Sequence, residues 1–383
     1  MMKKLIAMLM ALVLCFGLVA CGGGSDDSAD ASGAIKLGIS GPLTGDAAIY
    51  GTAVKYGMEI AIEEVNALGG LQLELLFEDD VADGETALNA YNKMIDDGMQ
   101  VSAGTVTSGA GQAVAPQSYK DQMFALTPSA SSPAVTDGND NVFQVCFSDP
   151  DQGVGPATYI KSTVKAEKVA VIYRNDDAYS QGIRDSFVAQ AAIEGLNIVY
   201  EGTFTKDTAT DFSVQVTAAK AAGADTLFLP IYYQPAALIL AEADKQGYDP
   251  TIVGVDGMDG ILTLENFDTS LAEGVILLTP FSADAEDEMT KNFVAKYTEL
   301  TGEIPNQFAA DGYDVVYILH QMLTETGCTA DMSYDEICAA LKAAILDLTY
   351  TGVTGADMTW TADGKVSKLP VAVKIQDGAY VGA

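Results

Sequence analysis

The chain has 383 residues, of which 49% are hydrophobic and 19% charged, and its 53 acidic and 20 basic residues give a net charge of −33. This composition is that of a globular protein, and the charge argues against nucleic acid and anionic lipid surfaces as partners, because both would repel the chain. About 350 ordered residues are more than one core usually holds, so we expect two lobes.

The sequence of residues 1–20 is typical of an export signal. Lys3 and Lys4 precede an apolar run, Leu5 to Ala20, that is shorter than the roughly 20 residues needed to span a bilayer. Removal of residues 1–20 takes away two lysines and no acidic residue, so the net charge changes from −33 to −35. The Gly/Ser/Asp/Ala-rich segment that follows, within residues 21–34, predicts a flexible tether.

The stretch Leu18-Val19-Ala20-Cys21 resembles the lipobox of bacterial lipoproteins. The resemblance implies that Cys21 is acylated and holds the folded part at the outer, extracytoplasmic face of the bacterial cell membrane. The alternative is an ordinary signal peptide whose cleavage site happens to contain a cysteine.

From Ile35 onward, short apolar runs alternate with amphipathic stretches, which predicts an α/β fold of parallel strands joined by crossover helices. The first unit has a strand at 35–39, a helix ending at Gly69-Gly70 and a strand at 71–77. Similar units recur after residue 168, which predicts the second lobe. The further predicted strands are 169–173, 197–200, 226–230, 251–255 and 274–279. The further predicted helices are 180–194, 211–222, 286–300, 309–325 and 333–346. A strand pair is expected to turn at 362–364.

The sequence offers little for catalysis or metal binding. The loop from Gly38 to Gly45 fits neither nucleotide-binding glycine motif, and the single histidine, His320, lies in a predicted helix with no GxSxG serine motif anywhere. Residues 79–84 begin like a calcium loop but lack its later acidic ligands. We therefore expect no enzyme activity, no cofactor and no metal.

Three cysteines, Cys146, Cys328 and Cys338, follow the predicted anchor, and no CxxC pair supports a zinc site. Cys328 and Cys338 could form a disulfide outside the cell, or Cys338 could be an apolar helix residue.

Two serine-rich loops, 105–111 and 127–133, follow predicted strands. Hydroxyls and free backbone N–H groups at a strand-to-helix turn can bind a carboxylate, and ligands of open parallel sheets lie at the carboxyl ends of the strands. The alternative is that Ser108, Ser131 or Ser132 only caps a helix.

Nine short motifs, in this order, resemble those of the leucine/isoleucine/valine-binding protein family, over residues 35 to 375. They are Gly41-Pro-Leu-Thr-Gly45, Tyr50-Gly51, 62–70, Phe77-Glu-Asp-Asp80, Thr107-Ser108, 127–133, Asp151-Gln-Gly153, Tyr179-Ser-Gln-Gly182 and Gly254-Val-Asp-Gly257. The resemblance implies a solute-binding component of an ABC importer with the type I periplasmic-binding-protein fold. That fold has two lobes, each a mostly parallel sheet flanked by helices, joined by three hinge crossovers. The expected lobes are 35–149 with 280–350, and 150–279 with 351–383.

The family's site can be carried over residue by residue. Ser108, the backbone at Ala130 and Ser131 would hold the ligand's α-carboxylate, and Asp256 would pair with its ammonium. Tyr179 and Tyr233 would contribute from the second lobe, and the side-chain pocket would comprise Tyr50, Val106, Thr107 and Phe308. Asp256 stands where the family has the longer glutamate, so a direct or a water-mediated contact both remain open. No basic residue lies in these motifs, which disfavours an acidic ligand.

The expected function is delivery of an amino acid, foremost leucine, isoleucine or valine, to the subunits of an ABC permease by a monomeric receptor. One alternative is a ligand-sensing module of a signalling receptor, normally fused to a membrane span and a cytoplasmic domain. Another is a transport receptor for a different apolar or aromatic amino acid or an amide.

Overall fold

The computed structural model describes residues 33–383, so the predicted signal peptide, Cys21 and nearly all of the tether lie outside the described residues. None of the helices described in this range is long and apolar enough to cross a membrane.

The first sheet has five parallel strands in the order β2-β1-β3-β4-β5. These strands are β1 Ala34–Gly41, β2 Gln72–Asp79, β3 Val101–Thr105, β4 Ala125–Thr127 and β5 Val142–Gln144. The helices between them are α1 Ala48–Ala67, α2 Gly84–Asp96, α3 Ser108–Asp121 and α4 Pro133–Thr136. The predicted first β-α-β unit is confirmed. Gly69 and Gly70 take left-handed φ angles of +75° and +80°, which stop α1 as the sequence predicted.

The second sheet has seven strands in the order β14-β13-β10-β9-β8-β6-β7. Strands β6 to β10 are parallel, whereas β13 pairs antiparallel with β10 and β14 pairs antiparallel with β13. These strands are β6 Val169–Arg174, β7 Ile198–Phe204, β8 Thr226–Leu229, β9 Thr251–Gly254, β10 Ile276–Thr279, β13 Val371–Gln376 and β14 Ala379–Gly382. Its helices are α5 Asp149–Tyr159, α6 Ala178–Glu194, α7 Ser213–Ala221 and α8 Tyr233–Lys245. The two sheets, each with its packed helices, are called the first and second lobes below.

After β10 the chain returns to the first lobe as three helices, α9 Glu288–Thr301, α10 Gln307–Glu325 and α11 Tyr334–Asp347. Helix α10 packs closely on α1, because a Cβ atom at Gly57 would lie 2.0 Å from the backbone oxygen of Ala309. The glycine thus permits backbone-to-backbone contact between a helix from early in the chain and one from late in it. The later helices complete the first lobe.

Residues 353–360, which the sequence analysis assigns to the second lobe, contact the first lobe. A short antiparallel pair, β11 Tyr350–Gly352 and β12 Gly355–Met358, follows α11. The Asp314 carboxylate on α10 accepts the N–H groups of Val353 and Thr354, at 3.0 and 2.9 Å. Trp360 donates its indole N–H to the carbonyl of Gln144 in β5. These contacts hold the segment on the first lobe, and the chain joins the second sheet only at Val371.

The predicted strand pair around 362–364 is reduced to a single bridge between Trp360 and Val366, with Gly364 in its turn at a φ of +82°. The turn docks on the first sheet, since the Gly364 carbonyl accepts the N–H of Gln144. The extended antiparallel pairs lie elsewhere, at β11–β12 and β13–β14.

Cys146, Cys328 and Cys338 are free and buried, so the alternative of a disulfide between the last two is not formed. Cys338 lies on the buried face of α11, as the other alternative predicted. His320 lies on α10 and is half-buried, and burial lowers its pKa.

Candidate functional site

A small cavity lies where the carboxyl ends of the strands of the two lobes face each other, and we call it the inner cavity. It is lined by Tyr50, Val106, Thr107, Ser108, Ser129, Tyr179, Tyr232, Asp256, Gly257 and Phe308. Only about 10 Å³ is open to the centre of a water-sized sphere, which is room for about one water molecule. The two lobes are therefore closed on each other, and any larger ligand must separate the walls.

One end of the inner cavity is rich in hydrogen-bond donors. Ser108 is the first residue of α3, whose first N–H groups have no partner within the helix and carry its positive dipole end. The Ser108 hydroxyl oxygen accepts the N–H of Ser132 at 3.1 Å, which leaves its hydrogen available. The neighbouring Thr107 hydroxyl is buried and has no hydrogen-bond partner within residues 33–383. This end can bind an anionic group such as a carboxylate.

Ala130 and Ser131 lie behind this wall and do not line the cavity. The N–H of Ala130 donates to the Thr127 hydroxyl at 3.1 Å, and its carbonyl accepts the side-chain amide of Gln144 at 2.7 Å. The Ser131 hydroxyl lies 3.5 Å from that of Ser108. Both residues therefore hold the loop that supports Ser108, while Ser129 reaches the cavity in their place.

The other end holds one buried acid, Asp256, which follows β9 and is 2% exposed. Tyr179 donates its hydroxyl to one carboxylate oxygen at 2.5 Å. Burial raises the pKa of Asp256 to about 6, while the hydrogen bond from Tyr179 opposes that shift. A carboxylate buried without a cation is costly, so this end is suited to an ammonium group.

Aromatic rings form most of the remaining wall. Tyr50 from α1 lies 4.3 Å from the ring of Phe308 and 5.2 Å from that of Tyr232, measured between centroids. The Tyr179 ring lies 5.0 Å from Tyr232. Together with Val106 these side chains give an apolar wall between the donor end and the acid.

Tyr50 also joins the two lobes directly. Its hydroxyl donates to the carbonyl of Gly257 and accepts the N–H of Tyr233 at 3.2 Å. The Tyr233 ring packs edge-on against Tyr50, at 5.1 Å and 89°, and does not line the cavity. The neighbouring residue Tyr232 lines the cavity.

One buried group next to the site was not anticipated. Asp149, the first residue of α5, is fully buried, and neither of its carboxylate oxygens has a hydrogen-bond partner within residues 33–383. Its backbone N–H donates to the carbonyl of Ser131 at 3.0 Å, which places it behind the donor end. Burial raises the pKa of its carboxyl group well above the usual range. The only sequence signal was its position two residues before the Asp151-Gln-Gly153 motif.

The two sheets and the cavity between them are those of a two-lobed protein that can enclose a small solute between its lobes. A family model described as periplasmic binding protein matches residues 34–379, and the chain belongs to that family. It is a solute-binding protein of the extracytoplasmic type and not an enzyme.

The chain is similar to Leu/Ile/Val-binding protein homolog 3 of Brucella melitensis, at 29% identity over 91% of this chain and 93% of the relative. Two solved structures are also similar. The leucine-binding protein LivK of Thermotoga maritima has 26% identity and a TM-score of 0.82, covering 91% of this chain and 97% of that one. LivJ of Streptococcus pneumoniae, a branched-chain amino acid transporter substrate-binding protein in complex with isoleucine, has 27% identity and a TM-score of 0.81, covering 92% and 100%. The resemblance found in the sequence motifs is thereby confirmed.

Proposed function

We propose that the protein is the receptor of an ABC importer for an α-amino acid, foremost leucine, isoleucine or valine. The observation that carries the proposal is the pairing, across one cavity, of a single buried acid with the donor-rich start of α3. A buried zwitterion needs an acceptor at one end and donors at the other, because either charge left unpaired is costly. The names of the similar proteins support the branched-chain assignment.

In this proposal Ser108 and the first turn of α3 bind the α-carboxylate, supported by Ser131 and the backbone of Ala130. Asp256 binds the ammonium, and Tyr179 orients the carboxylate of Asp256. The side chain would lie among Tyr50, Val106, Thr107, Tyr232 and Phe308, with Tyr233 behind Tyr50. These apolar and aromatic groups favour aliphatic or aromatic side chains over charged ones in the inner cavity.

Binding would proceed by closure. A ligand held first by Ser108 on one lobe gains the Asp256 contact only when the second lobe closes on it, so it shifts the open–closed equilibrium by that difference in affinity. The closed monomer is the form that a membrane permease would recognise. We place the first lobe at residues 35–149 and 280–368 and the second at 150–279 and 369–383.

We also propose that Cys21 is lipidated after cleavage of residues 1–20, so that the tether holds the receptor at the outer face of the membrane. The lipobox-like sequence Leu18-Val19-Ala20-Cys21 supports this. Mass spectrometry of the membrane-extracted protein tests it, since a Cys21→Ser variant would lose both the acyl chains and the membrane association.

Titration calorimetry of the ligand-stripped protein against the twenty amino acids tests the binding function. Heat with leucine, isoleucine or valine is expected, and the ranking reports the shape of the side-chain pocket. The absence of binding heat with every α-amino acid would overturn the assignment of the ligand class.

A further inference from the structure

A second, larger cavity adjoins the inner one. The space in it that is open to the centre of a water-sized sphere is about 450 Å³. It shares Thr107 and Tyr232 with the inner cavity. Both lobes line this outer cavity: Asp46, Val81 and Ala82 come from the first, and Arg174, Lys206 and Phe204 are among those from the second. A ligand whose head occupies the inner cavity could therefore extend its far end into the outer one.

The outer cavity carries cationic groups, which the motifs of the inner site lack. The chain has only 20 basic residues, and two of them, Arg174 and Lys206, line this cavity. Within residues 33–383, the Arg174 guanidinium makes one hydrogen bond, from Nε to Asp176 at 2.6 Å, so its two terminal nitrogens are available. In the same range the Lys206 ammonium forms no ion pair within 4 Å. The nearby Asp83 has a pKa lowered chiefly by its hydrogen bonds from Thr86 and to a lesser degree by the charge of Lys206.

The acidic groups around this cavity are already engaged. Asp177 caps α6 by accepting the N–H of Ser180 at 2.9 Å. Asp176 accepts the backbone N–H of Lys206 as well as the Arg174 side chain. Asp46 faces the side-chain amide of Gln234, whose nitrogen lies 3.3 Å from its carboxylate in the orientation that satisfies both groups. The cationic donors left without a partner within residues 33–383 are the two terminal nitrogens of Arg174 and the ammonium of Lys206.

The first-lobe wall of the outer cavity is held in a strained conformation. Val81 and Ala82 take consecutive left-handed φ angles of 48° and 55°, which is unusual for any side chain and costly for a β-branched one. Asp79 and Asp80 fix these residues by accepting their N–H groups at 3.0 and 2.9 Å. Such strain, maintained by specific bonds, is typical of a wall that is shaped for a ligand. The wall presents apolar groups, and Phe204, Ile231 and Leu238 face it from the second lobe.

We infer that the outer cavity is a second subsite, and that it binds the anionic end of an α-amino acid whose long side chain passes between Thr107 and Tyr232. This inference rests on the proposed function, because the amino-acid head must first occupy the inner cavity. The apolar walls contact the methylene chain, and Arg174 and Lys206 bind the distal carboxylate.

The test compares two matched series by titration calorimetry. One contains the diacids glutamate, α-aminoadipate, α-aminopimelate and α-aminosuberate, and the other the straight-chain α-amino monoacids of the same carbon number. At the length that reaches Arg174, the diacid is expected to bind at least about tenfold more tightly than its neutral partner. The advantage should fall in Arg174→Gln and Lys206→Gln and persist in Lys161→Gln, a surface lysine outside both cavities.

Leucine serves as the internal control, because it has no distal carboxylate for Arg174 and Lys206 to bind and should bind all these variants equally. The second subsite is contradicted if leucine binds but no diacid binds more tightly than its neutral partner. It is also contradicted if the advantage of the diacid survives in the Arg174→Gln/Lys206→Gln double variant. In either case the proposed receptor function is unaffected. If no α-amino acid binds at all, the proposed function itself fails.

Discussion

Asp256 is the one ionised group expected to face the ligand in the inner cavity, and its environment sets a pH dependence. Its pKa is raised to about 6 by burial, and only its carboxylate form attracts an ammonium. Below about pH 6 a proton competes with the ligand, so leucine affinity should fall roughly tenfold for each further pH unit. Above that range the affinity should be constant until the ligand's own ammonium titrates. Calorimetry between about pH 4.5 and 8 measures this slope.

An Asp256→Asn variant is the control for that slope. It keeps the shape of the side chain but loses the charge, so affinity above pH 6 should fall by roughly 10- to 150-fold, the value of one charge-assisted hydrogen bond. Its affinity should then be independent of pH. A variant that keeps the wild-type slope would assign the titration to another acid near the site, such as Asp149.

Single residues at the site were only partly predictable from sequence. Ser108 and Asp256 follow strands directly, so the carboxyl-end rule places them at the cleft. The choice between two adjacent tyrosines was not predictable, because it depends on where a helix begins. Tyr232 is the extended residue before α8 and faces the cavity, whereas Tyr233 is its first helical residue and points at Tyr50.

At the scale of elements, one buried ion pair connects the last part of the chain to α10. Lys368 donates to Asp311 at 3.0 Å and to the hydroxyl of Thr354 at 2.6 Å, and both members of the ion pair are almost fully buried. Asp314 lies close by and accepts the backbone of 353–354. Burial raises the pKa of Asp311 to about 7, and the neighbouring Lys368 opposes that shift.

Lys368→Met is expected to destabilise the protein by about 3–5 kcal/mol near neutral pH, because it leaves a buried acid without its cation. The double variant Lys368→Met/Asp311→Leu should recover most of this loss, since it removes both charges. Urea denaturation of the two variants measures the difference. Equal destabilisation in both would mean that packing, and not charge, dominates this contact.

The strands and helices whose apolar residues form a clear run or a regular spacing were predictable from the sequence, whereas the last strands of the chain were not. β6 and β8 to β10 lie in the interior of the second sheet and are short apolar runs, and α10 shows a continuous apolar face. β13 and β14 pair with an existing sheet edge that is contributed by a distant part of the chain. Their pairing is a tertiary effect, which local periodicity does not report.

At the scale of the whole molecule, Tyr50 links the two lobes, and we expect this link, called the latch below, to favour closure. Its hydroxyl bonds to Gly257 and Tyr233 across the cleft. Tyr50→Phe removes both bonds, each contributing about 0.5–1.5 kcal/mol, and should shift the ligand-free protein toward the open form. Small-angle X-ray scattering should then show a larger radius of gyration without ligand and a return to the wild-type value with it.

Tyr56→Phe is the matched control for the latch, since Tyr56 lies on the same helix but packs against Tyr297 and not across the cleft. It should scatter like the wild type in both states. If Tyr50→Phe also remained as compact as the wild type without ligand, closure would depend on other contacts between the lobes.

The central claim, that the inner cavity binds a zwitterion through Ser108 and Asp256, is tested most directly by extending the leucine titration to isocaproate, which is leucine without its amino group. Measured at about pH 8, where Asp256 is ionised, isocaproate should bind at least about 100-fold more weakly than leucine, because it leaves a buried carboxylate unpaired. Equal binding of the two would contradict the account, since the ammonium would then contribute nothing to recognition.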